Sequence, residues 1–271
     1  MTIRDVFRVC CCAFLGASIA TVAQGQACSN ALDLCGQTDT TAVLSAPLDL
    51  PGAAALSGVF DANRVQVIHF HTTFFGQFAE PSEPANIVLS AQACESPIVV
   101  RVFQSNPLDE CNAEEFVPAS ELWTVSTDTT LTTLPLFQNT EYVLLLCSSA
   151  SDCTVDVRLE GLAMSIDACC TSSIDYGEST TVEVLGSNPD LGFDWTPVEL
   201  AQMVDNQLAE LTPYETTTFE VTGYIQGCSY TDAVLVAVGS PIEVPNAFSP
   251  NNDAFNDTWN IFGLSQFPTS T

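Results

Sequence analysis

Val65-Gln66-Val67-Ile68-His69-Phe70-His71-Thr72-Thr73-Phe74-Phe75 is the stretch on which the fold class turns. Apolar and polar residues alternate along it, which places every second side chain on one face of an extended strand. Stretches of the same kind follow at 86–91, 98–103, 122–126, 131–136, 141–147 and 154–159. All are rich in Val, Thr, Leu and Phe and are separated by turn-forming residues, and nothing beyond the first 25 residues keeps a helical period. Short alternating strands at this spacing predict an antiparallel β-sandwich over 28–164.

Further along, a boundary is expected near 165–170, and a second, smaller sandwich over 165–240. Its strands are read at 179–185, at Phe193-Asp194-Trp195, at 208–211, 216–222 and 230–238, with Trp195 as the central core residue. Ser240-Pro241-Ile242-Glu243 then links to a remaining stretch, 241–271, rich in Pro, Asn, Asp and spaced aromatics. The expected class is therefore all-β: two antiparallel β-sandwich domains plus the first segment of a third.

Composition narrows the function. Hydrophobic residues make up 46% of 271, enough to build cores for two domains, so global disorder is excluded. Charge is the outlier, with 33 acidic residues against five arginines and no lysine. Such a chain repels nucleic-acid phosphates and anionic membrane surfaces, so no nucleic-acid partner is expected. Without lysine there is no Schiff-base chemistry and no phosphate-loop lysine.

The first 25 residues read as a secretory signal: Arg4 and Arg8 precede an apolar run from Val9 to Ala20 that is too short to span a bilayer. Cleavage is expected near Ala23-Gln24-Gly25 or Gly25-Gln26-Ala27, whereas a lipid anchor at Cys28 is disfavoured by Gly25. Losing two arginines and Asp5 with that segment moves the net charge from −28 to −29, and leaves no transmembrane span.

Removal of the signal also takes Cys10, Cys11 and Cys12, leaving nine cysteines: Cys28, Cys35, Cys94, Cys111, Cys147, Cys153, Cys169, Cys170 and Cys228. In an exported chain they read as disulfides, with one thiol left over. Local pairing suggests Cys28–Cys35, Cys94–Cys111 and Cys147–Cys153, with Cys169 or Cys170 joined to Cys228, although spacing alone leaves the connectivity open. No paired Cys-x-x-Cys knuckle points to zinc.

The only two histidines, His69 and His71, lie two apart on one predicted strand. Both imidazoles can reach one metal; the simpler reading puts them on the polar side, opposite Ile68, Phe70 and Phe74. No Gly-x-Ser-x-Gly or His-Glu-x-x-His motif accompanies them, and no enzyme is expected. Near the C-terminus Asn251, Asp253, Asn256 and Asp257 are hard oxygen donors suited to calcium, but off the EF-hand spacing; the alternative is an Asx-turn network capping local N–H groups. No other cofactor is expected.

Three resemblances sharpen this reading. Pro245-Asn246-Ala247-Phe248-Ser249-Pro250-Asn251-Asn252-Asp253-Ala254-Phe255-Asn256-Asp257 resembles the opening of the gliding motility-associated C-terminal domain family, a type B sorting domain. Pro245, Asn246, Phe248, Pro250, Asn251, Asp253, Asn256 and Asp257 match its motif, while Asn252 and Ala254 replace two of its glycines. A left-handed backbone at alanine costs roughly 1 kcal/mol. Only the first portion of that domain is expected within 241–271.

Trp195-Thr196-Pro197, Leu211-Thr212-Pro213, the run 216–222 and Gly227-Cys228 resemble PKD-like and other immunoglobulin-like modules of bacterial surface adhesins. Cys28-Ser29-Asn30-Ala31-Leu32-Asp33-Leu34-Cys35 resembles the start of jelly-roll ectodomains of gliding bacteria. Together the resemblances imply type IX secretion cargo: an exported, non-enzymatic, adhesin-like protein, secreted or on the outer cell surface. Its partners would be the type IX secretion machinery and a surface glycan or protein. The alternative is the accessory or carbohydrate-binding portion of a secreted hydrolase, for which Phe75, Trp123 and Tyr142 are the aromatic candidates.

Overall fold

The computed structural model describes residues 31–239, apart from 46, 59, 61–63, 76–79, 92–93, 107–110, 150–152 and 187–191, together with Ser249. Among the described residues the chain is all-β, broken only by short 3-10 turns. No helix among them is long and apolar enough to cross a membrane.

The first half contributes ten strands: β1 (Leu32–Asp33), β2 (Asp39–Leu44), β3 (Arg64–His71), β4 (Asn86–Ser90), β5 (Ile98–Gln104), β6 (Val117–Pro118), β7 (Trp123–Val125), β8 (Thr129–Thr132), β9 (Glu141–Ser148) and β10 (Cys153–Glu160). They form two sheets, β1-β3-β9-β5-β6 with β7 also on β5, and β2-β10-β4-β8. Alternation explains the packing. Ile68, Phe70, Val100, Val102, Leu144 and Leu146 point from the first sheet into Ala42, Leu44, Ile87, Leu89, Val155 and Val157 of the second. Phe70 and Tyr142 stack there at 5.5 Å.

The outer face of the first sheet is also apolar. Val65, Val67, Phe103, Val143, Leu145 and Cys147 are covered by Leu50, Leu56, Phe60, Cys111 and Ala113, from the connections before β3 and after β5. Two 3-10 turns, Ala53–Leu56 and Ala113–Glu115, clip this cap together, with the Ala113 amide donating to the Pro51 carbonyl at 2.8 Å. The central strand β9 is consequently buried on both faces, which is why its sequence, EYVLLLCS, shows an apolar run rather than alternation.

The second half contributes β11 (Asp167–Cys169), β12 (Ser172–Ile174), β13 (Thr180–Leu185), β14 (Asp194–Thr196), β15 (Ala201–Met203), β16 (Leu208–Leu211), β17 (Thr217–Ile225) and β18 (Cys228–Val238). Its sheets are β11-β13-β16-β15 and β12-β18-β17-β14. Val182, Val184, Leu211, Val221, Val234 and Val236 fill the space between them, with Trp195 edge-on to Phe219 at 6.4 Å. β1–β3 and β12–β18 pair in parallel, a departure from the all-antiparallel expectation, and the other described strand pairs are antiparallel. Each parallel pair joins a two- or three-residue strand to a sheet edge.

The expected disulfides are corrected throughout. Cys35 bonds to Cys228, and Cys94 to Cys153, while Cys169 and Cys170 bond to each other. Thus none of Cys28–Cys35, Cys94–Cys111, Cys147–Cys153 or a link from Cys169 or Cys170 to Cys228 forms. Nearness in sequence misleads because β10 crosses between β2 and β4. Its first residue, Cys153, lies opposite Leu44 and beside the connection that leaves β4, where Cys94 sits. Cys111 is also disulfide-bonded, and Cys147 is a buried thiol beneath the cap.

Candidate functional site: the cleft between the sandwiches

The two sandwiches are joined along one seam. Cys228 stands at the end of the tight β17–β18 turn, where Gln226 and Gly227 both take left-handed backbone (φ 47° and 85°). Its bond to Cys35, just after β1, fastens this turn against the first sandwich. Alongside, the Phe74 amide donates to the Gly186 carbonyl at 2.9 Å, and the Thr73 amide to the Ala163 carbonyl at 2.9 Å. Gly36 lies so close to the Met164 carbonyl that a Cβ would be 2.0 Å from its oxygen, so only glycine fits. Phe74 therefore belongs to the packing of the second sandwich, not to the strand face shared by Ile68 and Phe70. β3 ends at His71, and the chain turns towards the seam.

Beside the seam the outer face of the first sheet emerges from under its cap and becomes polar. Register pairs Asp33 with His69 across β1–β3, His69 with Val143 and His71 with Glu141 across β3–β9. Asp33, Cys35, His69, His71 and Glu141 face Gln226, Gly227 and Cys228 across a recess of about 230 Å³. A second recess, about 440 Å³, continues past His71, Glu141 and Gln226 to Gln104, Ser105, Asn139 and Thr140.

His69 lies on this outer face, opposite Ile68 and Phe70, and is only 7% exposed where it lines the recess with Gln226, Gly227 and Cys228. Its Nδ1 lies 3.3 Å from Glu141 Oε1. His71 Nδ1 donates to its neighbour's carbonyl, Thr72 O, at 2.9 Å, which leaves Nε2 as the acceptor of the neutral ring. Burial holds the His71 pKa below 6.5, against the smaller opposing effects of the Glu141 charge and the Thr72 hydrogen bond. Nearby, Tyr230 is buried with its hydroxyl towards the Gly36 amide, which does not complete a hydrogen bond of good geometry. Burial, then the Glu141 charge, pushes this phenol up despite that amide.

Among the described residues lining the two recesses, Ser105 Oγ donates to the Glu141 carbonyl and Cys35 is in a disulfide. Among the described residues no group of three or more His, Cys, Asp or Glu is arranged to hold a metal. Instead, neutral imidazole, carboxylate and amide groups line a polar recess with fixed walls.

His71 makes stability depend on pH in a defined direction. Its folded pKa is below its unfolded one, so the unfolded chain binds the extra proton first, and stability falls as pH drops through 6.5. Thermal unfolding between pH 7.5 and about 5.5 is expected to show a declining Tm. In His71→Gln that decline should be visibly shallower.

The other expected site residues are placed as follows. Tyr142 is buried, and its hydroxyl accepts from the Phe137 amide at 2.8 Å; burial, ahead of that bond's opposing effect, raises its pKa to about 12. Phe75 and Trp123 are partly buried against the first core. The signal segment 1–25, Cys28, and the motif residues Pro245, Asn246, Phe248, Pro250, Asn251, Asp253, Asn256 and Asp257, with their calcium reading, lie outside the described residues. Sequence reading missed the cleft itself, because its walls come from segments about 190 residues apart. The adjacent pair His69 and His71 was its one visible trace.

No protein-family profile matches the chain, and no curated protein does. Solved structures give weak likenesses. One is the pre-peptidase C-terminal domain of a collagenase from Bacillus anthracis, at 8% identity, covering 48% of this chain and 94% of that one, with TM-score 0.28. Another is CorA, a surface-associated copper-binding protein of Methylomicrobium album BG8, at 9% identity, covering 48% and 96%, with TM-score 0.30. A third is PirA, at 9% identity, covering 45% and 93%, with TM-score 0.28.

Proposed function

We propose that this chain is an exported, non-enzymatic, adhesin-like binding protein, secreted or held on the outer cell surface, that uses the cleft to take a surface glycan or protein ligand. The observation that carries this reading is the Cys35–Cys228 bond, which fixes the two halves of the cleft across a separation of 193 residues. A bond of this kind, with Cys94–Cys153 beside it, suits an oxidising compartment rather than a cytosol. The net charge of −28 suits an exterior where solubility matters and phosphate-rich partners do not. In this reading residues 1–25 direct export, and the motif from Pro245 to Asp257 addresses the chain to type IX secretion machinery, in association with gliding or attachment.

The test is binding by the mature chain to glycan and surface-protein arrays, repeated with the double variant His71→Gln/Glu141→Gln. A ligand lost on that substitution supports the cleft, and arrays without any ligand count against an adhesin. Turnover of a glycan or peptide in a hydrolase screen would overturn the non-enzymatic part. Separately, deleting residues 1–25 should keep the protein inside the cell; continued export would remove the signal from the proposal.

A further inference from the structure

The cap on the first sheet holds a second cavity, about 300 Å³, between Ala55, Leu56, Phe60 and Phe116 on the cap side and Arg101, Phe103 and Pro118 on β5 and β6. Arg101 is out of keeping with its surroundings. On β5 it alternates with Val99 and Phe103, and it pairs with Leu145 of β9, so its strand face is otherwise apolar. Arg101 is only half-buried, so its guanidinium sits at the mouth of this apolar face rather than sealed within it.

Among the described residues Arg101 nevertheless has no carboxylate partner. Its Nε donates to the Ser120 carbonyl at 3.4 Å, and its guanidinium lies 5.4 Å from the Phe103 ring centroid. The remaining N–H donors find no acceptor among the described residues. Arg158, by contrast, pairs with Glu160 at 2.6 Å. Glu114 lines the same cavity without forming an ion pair to Arg101.

We propose that this cavity binds a small organic acid with an apolar ring, the ring lying among Phe60, Phe103 and Phe116 and the carboxylate on the Arg101 guanidinium. The three phenylalanines already contact one another, Phe60–Phe103 edge-on at 6.2 Å and Phe103–Phe116 tilted at 5.5 Å, so they form a fixed aromatic wall. The guanidinium fork, whose other donors meet no acceptor among the described residues, matches a carboxylate in two-pronged geometry. A volume near 300 Å³ is at the small end of ligand sites and exceeds what a bare benzene ring requires. The cavity lies on the cap, apart from the cleft, and its ligand does not depend on export or adhesion.

Isothermal titration of the full chain with hydrocinnamate, and with hydrocinnamyl alcohol as its neutral counterpart, tests the assignment. Saturable binding of the acid, weaker for the alcohol by about tenfold or more, is expected. Arg101→Met should weaken the acid by a similar factor and leave the alcohol nearly unchanged. Glu114→Gln, which leaves the strand intact, should tighten the acid by about twofold by removing a nearby negative charge. Absence of saturable acid binding, equal affinity for the alcohol, or an acid affinity indifferent to Arg101→Met overturns the proposal. If Arg101→Met does not fold, unchanged or weaker binding to Glu114→Gln overturns it instead.

Discussion

Replacing Cys35 and Cys228 together by serine is expected to lower stability by roughly 2 to 5 kcal/mol and to split one calorimetric transition into two. The bond closes a loop across 193 residues, and in the chain-entropy picture long loops gain the most. What remains at the seam among the described residues is the Phe74–Gly186 backbone hydrogen bond and the packing of Phe74 on the second core. Those contacts are too few to make the halves unfold as one. Small-angle scattering of the double variant should show a larger radius of gyration under non-reducing conditions. A single transition at the original Tm, with an unchanged radius, would show that the seam holds without the bond. Cleft binding should fall in the same variant, since Cys35 and Cys228 stand on its two walls.

Equally large effects are expected from Leu144→Ala and Leu145→Ala made separately. In a strand with one face in water, one of two adjacent substitutions is nearly free of cost. Here Leu144 points into the sandwich and Leu145 into the cap, and both side chains are fully buried. Each should cost about 2 to 5 kcal/mol, measured by urea unfolding at matched conditions. A cost below about 1 kcal/mol for Leu145→Ala would mean that the cap does not exclude water from the outer face. The cavity around Arg101 would then be open rather than walled.

The strands that were legible in the sequence are those whose burial is periodic. β16 matches its expected span, β4, β5, β9 and β13 differ from theirs by a residue at one end, and β10 by a residue at each end. β1, β6, β11 and β15 escaped because two or three residues do not display a period. β3 was read too long because Thr72 to Phe75 continue its composition while the backbone leaves the sheet, Phe74 being drawn to the second core. β8 was misplaced because Thr129 and Thr130 begin it, whereas Leu134 and Leu136 suggested a later start.

At the site, His69 and His71 were identified as a pair on one face, but their setting was not. The recess that His69 lines is shared with a turn in the distant hairpin, and no local pattern announces it. The disulfide map failed for the same physical reason: the pairs follow sheet neighbours and the seam, not separation along the chain. Arg101 was visible as one of five arginines, yet the absence of a counterion near it is a three-dimensional fact.

The bond between Cys35 and Cys228 also decides how the protein responds to pulling. Tension applied before the first cysteine and after the second passes directly through the sulfur bridge and bypasses the chain between them. An unbridged segment of 193 residues would pay out roughly 600 Å when drawn straight. With the bridge closed that length is held in reserve, and the load falls on the strands outside it, β1 on the edge of the first sandwich and β18 within the second.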